Sequence, residues 1–135
     1  MKTQTLRQTV TFAASPHDVF ETLLDSRKHA RVTGGPARIS RKVGGVFSAF
    51  GGELSGTTLE IVADRKIVWS WRASDWPVGH HSRATFTLSQ VPTGTRLSLR
   101  QSGVPTELAA DIRAGWIEYY WMPMKAAFKG DRPKT

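Results

Sequence analysis

The sequence predicts an α+β fold: a curved antiparallel sheet wrapped around a long C-terminal helix, with two short helices after the first strand. Three observations lead there. Ile67, Trp69 and Trp71 share one parity in the segment Ile67-Val68-Trp69-Ser70-Trp71-Arg72, so on an extended strand both indoles leave the same face and that face needs a cover. From Ala37 to Gln101, short alternating segments are separated by Gly44-Gly45, Gly51-Gly52, Asp64-Arg65 and Pro92-Thr93-Gly94, turn chemistry that suits hairpins between antiparallel neighbours. A last helical stretch then carries Leu108, Ile112, Trp116 and Tyr119 at helical spacing, and its rings are the cover.

Taken in order, Leu6, Gln8, Val10 and Phe12 alternate with threonines and Arg7, the pattern of a half-buried first strand. Ser15 is a suitable N-cap, Pro16 suits the first helical position, and Asp18 complements the dipole of a helix whose stripe is Val19, Phe20, Leu23 and Leu24. Asp25 or Ser26 caps a second short helix to about Val32, and Gly34-Gly35-Pro36 stops it. Strands are expected at Arg38 to Ser40, Val46 to Phe50, Leu54 to Ala63, Lys66 to Arg72, His81 to Gln90 and Thr95 to Gln101. In the last two, Ala84, Phe86, Leu88, Leu97 and Leu99 share the buried parity and Arg83, Thr85, Arg96 and Arg100 the wet one. Thr106 is read as the cap of a final helix running to Phe128, with a kink near Met122 because Pro123 lacks the amide that would reach Tyr119.

A chain of 135 residues fits one domain, placed at 1–130, with 131–135 as a disordered basic tail. Cysteine is absent, which excludes disulfides and thiolate metal sites. The polar start and the lack of a long apolar run lead to the expectation of a soluble, cytoplasmic protein with no membrane partner. The net charge of +8 attracts an acidic partner, and the densest basic group is Arg27, Lys28, Arg31, Arg38, Arg41 and Lys42. No nucleic-acid motif and no interleaving of exposed aromatics with these charges is present, so no nucleic acid is expected.

Catalytic and metal chemistry find little to work with. The histidines are His17, His29, His80 and His81; an adjacent pair on a strand points to opposite faces and no ligand spacing is present, so no metal site and no cofactor is expected. Glu60, Asp64, Asp75, Glu107, Asp111 and Glu118 all have ordinary structural roles, and Ser48, Ser55 and Ser82 lack a nucleophile-elbow context, so no catalytic residue is assigned. Trp69, Trp71, Phe86, Trp116, Tyr119 and Tyr120 are either core or the walls of a small apolar-ligand pocket between sheet and helix, and core packing is the preferred reading.

The element order, with Ala14-Ser15-Pro16 opening a helix and Val43-Gly44-Gly45-Val46-Phe47, resembles the helix-grip domains of the birch-pollen-allergen-like and steroidogenic lipid-transfer superfamily. Trp71 followed by Trp76-Pro77-Val78-Gly79-His80, then Gly94-Thr95-Arg96-Leu97 and Gly115-Trp116-Ile117-Glu118-Tyr119-Tyr120, resembles more closely the C-terminal domain of activators of the ninety-kilodalton heat-shock chaperone's ATPase. The likeness runs to about Gly130. It implies a protein-interaction module whose partner is that chaperone, contacted near its ATP-binding ends. Trp76 and His80 join the basic group as the implied contact residues. In the eukaryotic co-chaperone a separate N-terminal domain binds the chaperone's middle segment; that half is outside the likeness, which implies weaker activation. The alternative it leaves is a small apolar ligand held between sheet and C-terminal helix.

Overall fold

The computed structural model describes residues 1–130, so the expected tail at 131–135 lies outside the described residues. Strand β1 (Thr3–Phe12) leads into α1 (Pro16–Leu24) and α2 (Ser26–Thr33), followed by β2 (Ala37–Ile39), β3 (Val46–Ala49), β4 (Leu54–Val62), β5 (Lys66–Ala73), β6 (Ser82–Val91) and β7 (Gly94–Pro105). The strands form one antiparallel sheet in the order β1-β7-β6-β5-β4-β3-β2. The first strand therefore closes against the last, and β6 and β7 pair along nearly their whole length. The C-terminal helix is α3 (Ala109–Trp116) and α4 (Met122–Gly130), joined without a break by a π-helical turn at Ile117–Trp121.

Local chemistry explains the helix ends. The Ser15 hydroxyl accepts the Asp18 amide at 3.1 Å, and Pro16 opens α1. Asp25 is the cap of α2, accepting from the Lys28 amide at 2.9 Å, which lowers its carboxyl below the ordinary value. Gly34, at φ 79°, ends α2 in the left-handed region. Thr106, by contrast, makes no cap: Thr106–Leu108 is a short 3-10 turn, and neither it nor α3 has a side-chain cap bond. Strand β7 runs on through Pro105, past the expected end at Gln101, because β1 continues to pair with it as far as Thr3 opposite Pro105.

Sheet and helix are joined through rings. Ile67, Trp69, Trp71, Phe86, Leu97 and Leu99 are all buried, as are Val19, Phe20, Leu23 and Leu24 on α1. From the helix, Ala109, Trp116, Tyr120, Trp121, Met124 and Phe128 descend onto them. Phe47 stacks on Trp69 at 4.5 Å, and this approach depends on Gly56, where an added Cβ would fall 2.8 Å from the Phe47 ring and 1.6 Å from the Ser70 carbonyl oxygen.

The expected kink at Met122 is replaced by the π turn, in which the Met122 amide reaches back to the Ile117 carbonyl. Widening the turn accommodates the ring of Pro123, which cannot donate to Tyr119. It also corrects the expected stripe. A turn that uses more than 3.6 residues carries the position after Trp116 to Tyr120, so Tyr120 is 4% exposed while Tyr119 stands outward at 50%.

Candidate functional site

Polar bonds, as well as packing, tie the helix to the sheet. The Trp116 indole N–H donates to Gln101 Oε1 at 2.8 Å, Gln101 Nε2 donates to the Ser82 hydroxyl at 2.9 Å, and that hydroxyl donates to the Trp71 carbonyl at 2.9 Å. This buried chain crosses from the helix over β7 and β6 to β5. Nearer the C-terminus, Trp121 Nε1 donates to Gln8 Oε1 at 2.8 Å, while Gln8 Nε2 donates to the Arg113 carbonyl at 3.0 Å.

A third tie joins the helix to α2. His29 is 1% exposed; its Nδ1 lies 3.0 Å from the Leu23 carbonyl and its Nε2 2.8 Å from the Tyr120 hydroxyl. A carbonyl only accepts, so Nδ1 carries the proton and Nε2 accepts from Tyr120. Burial holds His29 below the ordinary imidazole value and pushes the Tyr120 hydroxyl above its own, which keeps both groups neutral.

The loop Trp76–His80 is built into this core. Trp76 is 3% exposed and meets Trp71 edge-on at 5.3 Å, so its expected place on a contact surface is corrected: it is core, drawn in by the apolar ring against Trp71. His80 is half-buried, with Nε2 donating to the Gly103 carbonyl at 2.7 Å, and Arg72 Nη2 clamps the loop through the Trp76 carbonyl at 2.7 Å. Val78, at the tip, is wholly exposed.

Arg27, Lys28 and Arg31 stand exposed on α2, Arg38 on the edge strand β2, and Arg41 and Lys42 in the following turn. Arg41 is occupied at 2.7 Å by Glu21, which anchors that turn to α1. Lys28 and Arg31 border a groove of about 700 Å³ whose other walls include Val32, Pro123, Ala127 and Phe128. A second basic surface lies on the solvent face of the sheet, where Arg7 faces Arg100 directly across β1 and β7. Residue order cannot show that juxtaposition; it needs the β1–β7 register.

Among the expected pocket residues, Trp69, Trp71, Phe86, Trp116 and Tyr120 are buried. Trp69 and Phe86 meet at 5.2 Å, and Phe86 and Trp116 at 5.5 Å, so rings occupy the centre of the cleft. What stays open is a groove of about 430 Å³ at one mouth, with Trp71, Trp116, Tyr119, Tyr120 and Phe50 as its aromatic walls. Tyr119 therefore serves as a wall of the groove instead of as core. Among the described residues, no three His, Asp or Glu side chains gather to hold a metal ion, and no helix is long and apolar enough to cross a membrane.

Among curated proteins, the chain is 31% identical over 128 residues to an uncharacterised protein of Schizosaccharomyces pombe, covering 95% of this chain and 38% of that one. It is 30% identical over 118 residues to the human activator of 90 kDa heat shock protein ATPase homolog 1, covering 87% and 35%, so it spans little more than a third of these relatives. Among solved structures, an HSP90 activator from Plasmodium falciparum superposes with a TM-score of 0.88 at 24% identity, covering 93% of this chain and 96% of that one. An Aha1 dimer from Colwellia psychrerythraea superposes with a TM-score of 0.80 at 14% identity, covering 95% and 98%. At these identities the structures show the shared helix-grip fold alone. The model of the Activator of Hsp90 ATPase homolog 1-like protein family matches residues 13–129, nearly the whole of the fold described above, and the chain belongs to that family.

Proposed function

We propose that this chain is a co-chaperone-like module that binds the ninety-kilodalton heat-shock chaperone in the cytoplasm and raises its ATPase rate. The observation that carries the reading is the family match over residues 13–129, which takes in the helix, the sheet and the loops joining them. The relatives named as activators are about three times longer than the matched segment, which supports a weaker activation by this stretch alone. The chain brings no catalytic group to the reaction; it works by favouring a chaperone conformation that turns ATP over, and its differential affinity for that conformation sets the gain.

The exposed cations of α2 and β2 supply the contact surface in this reading. Two of them, Lys28 and Arg31, border the groove walled by Val32, Ala127 and Phe128, which suits an acidic partner segment with apolar side chains. Arg27, Lys28, Arg31, Arg38 and Lys42 carry the electrostatic pull, since Arg41 already faces Glu21. Trp76 acts only by holding the loop.

The test is titration against the purified chaperone of the same source at low and moderate salt, with ATP turnover followed in parallel. Binding and stimulation that both weaken with salt are expected, and reversal of Arg27, Arg31 and Arg38 to Glu should slow association while leaving the unfolding transition in place. No binding at low salt, or association indifferent to those reversals, overturns the reading.

A further inference from the structure

The open groove of about 430 Å³ at the mouth of the cleft is separate from the basic surface and differs from it in charge. Its walls are Phe50, Trp71, Trp116, Tyr119 and Tyr120, and Glu53, Asp75 and Asp111 line it with no Lys, Arg or His among them. That is unexpected on a chain with 19 basic and 11 acidic residues. All three carboxylates are exposed, and none takes part in an ion pair among the described residues. Nor do they converge as metal ligands would; they are spread around an aromatic cup.

The backbone explains how the groove is shaped. Phe50 sits at φ 53°, a left-handed conformation that a bulky side chain adopts only where its surroundings hold it there. Its ring meets Tyr119 at 5.8 Å and Tyr120 at 6.1 Å, both edge-on, closing one end of the cup. Gly51 and Gly52, at φ 67° and 97°, complete the tight turn that delivers Glu53 to the same rim. The Glu53 carbonyl then accepts the Ser74 amide at 2.8 Å, which fastens this loop to the one carrying Asp75. The strained loop thus places one ring and one carboxylate, and braces a second.

We propose that the groove binds a small organic cation, a protonated amine or guanidinium carried on a flat apolar body. The apolar body lies against Tyr119, Trp116 and Phe50, and the positive charge rests over a ring face within about 6 Å of its centroid, where the ring quadrupole attracts it. Glu53, Asp75 and Asp111 surround the open side and favour that charge while leaving it hydrated. A metal ion is poorly served by carboxylates held apart, an anion is repelled, and a fully apolar guest gains nothing from the rim. The volume lies within the range of small-molecule sites, roughly 300 to 1,000 Å³.

The experiment compares three probes that share a ring and differ in charge: 2-phenylethylammonium, neutral 2-phenylethanol and anionic 3-phenylpropanoate. Binding is followed by ligand-observed saturation transfer and by the indole N–H shifts of Trp71 and Trp116. The ammonium should bind at least about 5-fold more tightly than the alcohol, and the carboxylate least of all. Glu53→Gln with Asp111→Asn should remove most of that preference and leave the alcohol unchanged; both positions are exposed, and Glu53→Gln alone carries the comparison if Asp111→Asn lowers the melting temperature. Equal binding of alcohol and ammonium overturns the proposal. So does an ammonium preference that survives the loss of the carboxylates, or no saturation at the solubility limit. No chaperone is involved in these measurements, so their failure leaves the proposed function standing, and the reverse also holds.

Discussion

His29 shows how one buried side chain makes the molecule sensitive to pH. Its imidazole is held below the ordinary value of 6.5 by burial, and both its nitrogens are already committed, one to the Leu23 carbonyl and one to the Tyr120 hydroxyl. In the unfolded chain the ring takes up its proton near 6.5; in the folded one it does so only at lower pH. The unfolded state therefore binds more protons across that window, and the contribution is complete above 6.5 and lost as pH falls towards the folded value. Urea titrations should give a midpoint that drops on acidification through this range, and His29→Gln should flatten that part of the profile. His17 runs the other way: its hydrogen bond to Asp64 raises its value, so its contribution is present below 6.5 and lost as pH rises through the folded value, but the pair is exposed and has little weight. Gln101 is the other decisive residue. Gln101→Leu strands the Trp116 indole N–H, while the Ser82 hydroxyl keeps its bond to the Trp71 carbonyl, and denaturant unfolding should register a loss of about 1 to 3 kcal/mol for the one unsatisfied donor. A change near zero would mean water replaces the amide.

The C-terminal helix is the element in which spacing and structure part company. An α-helix advances about 100° per residue, so continuing α geometry past Trp116 would leave Trp121, Met124 and Phe128 roughly 80° to 140° away from the face that Trp116 presents to the sheet. The π turn at Ile117–Trp121 holds one residue more than an α turn and rotates them back, so that Trp116, Trp121, Met124 and Phe128 are all buried. Trp116 and Trp121 stack at 5.5 Å and 15° as a result. Deleting Glu118, which is exposed, should therefore regularise the helix and leave both flanks facing the sheet. The variant is expected to keep a single cooperative unfolding transition and to lose roughly 2 to 4 kcal/mol or more, because Tyr120 leaves His29 and the Pro123 ring again crowds the Tyr119 carbonyl. Loss of cooperative unfolding would show that the turn serves some other purpose than register.

At the scale of the whole molecule, charge is partitioned. Arg27, Lys28 and Arg31 lie along α2, Arg7 and Arg100 lie opposite each other on the outer sheet face, and Glu53, Asp75 and Asp111 ring the groove. In the proposed function, either of the two basic surfaces can meet an acidic partner. With a Debye length of about 10 Å at 0.1 M salt, attraction between exposed charges fades as salt rises, so under the proposed function the association rate with the chaperone should fall between low and moderate salt while dissociation changes less. Reversing Arg7, Arg96 and Arg100 to Glu should slow association less than reversing Arg27, Arg31 and Arg38. Stopped-flow association rates decide between the surfaces, and the opposite ranking would move the contact to the sheet.

Read as a sequence, the chain already held the fold class, the element order, the cap at Ser15, a second cap narrowed to Asp25 or Ser26, and the core parity of Trp69, Trp71, Phe86 and Leu97, because these follow from local chemistry and from periodicities of 2 and 3.6. The family was legible in the Trp76–His80 loop and the Gly115–Tyr120 segment. Local periodicity could not show that Tyr119 would turn outward and Tyr120 inward, since that depends on a change of helix type imposed by Pro123 and by the need to bring Met124 and Phe128 back to the sheet. Trp76, read as a contact residue, became core because β5 and its loop fold it onto Trp71. The links from His29 to Tyr120, from Gln101 to Trp116 and from Gln8 to Trp121 join residues far apart in the chain, as does the gathering of Glu53, Asp75 and Asp111 around one groove. Such pairings depend on sheet register and on the seat of the helix, which exist only once the chain has folded.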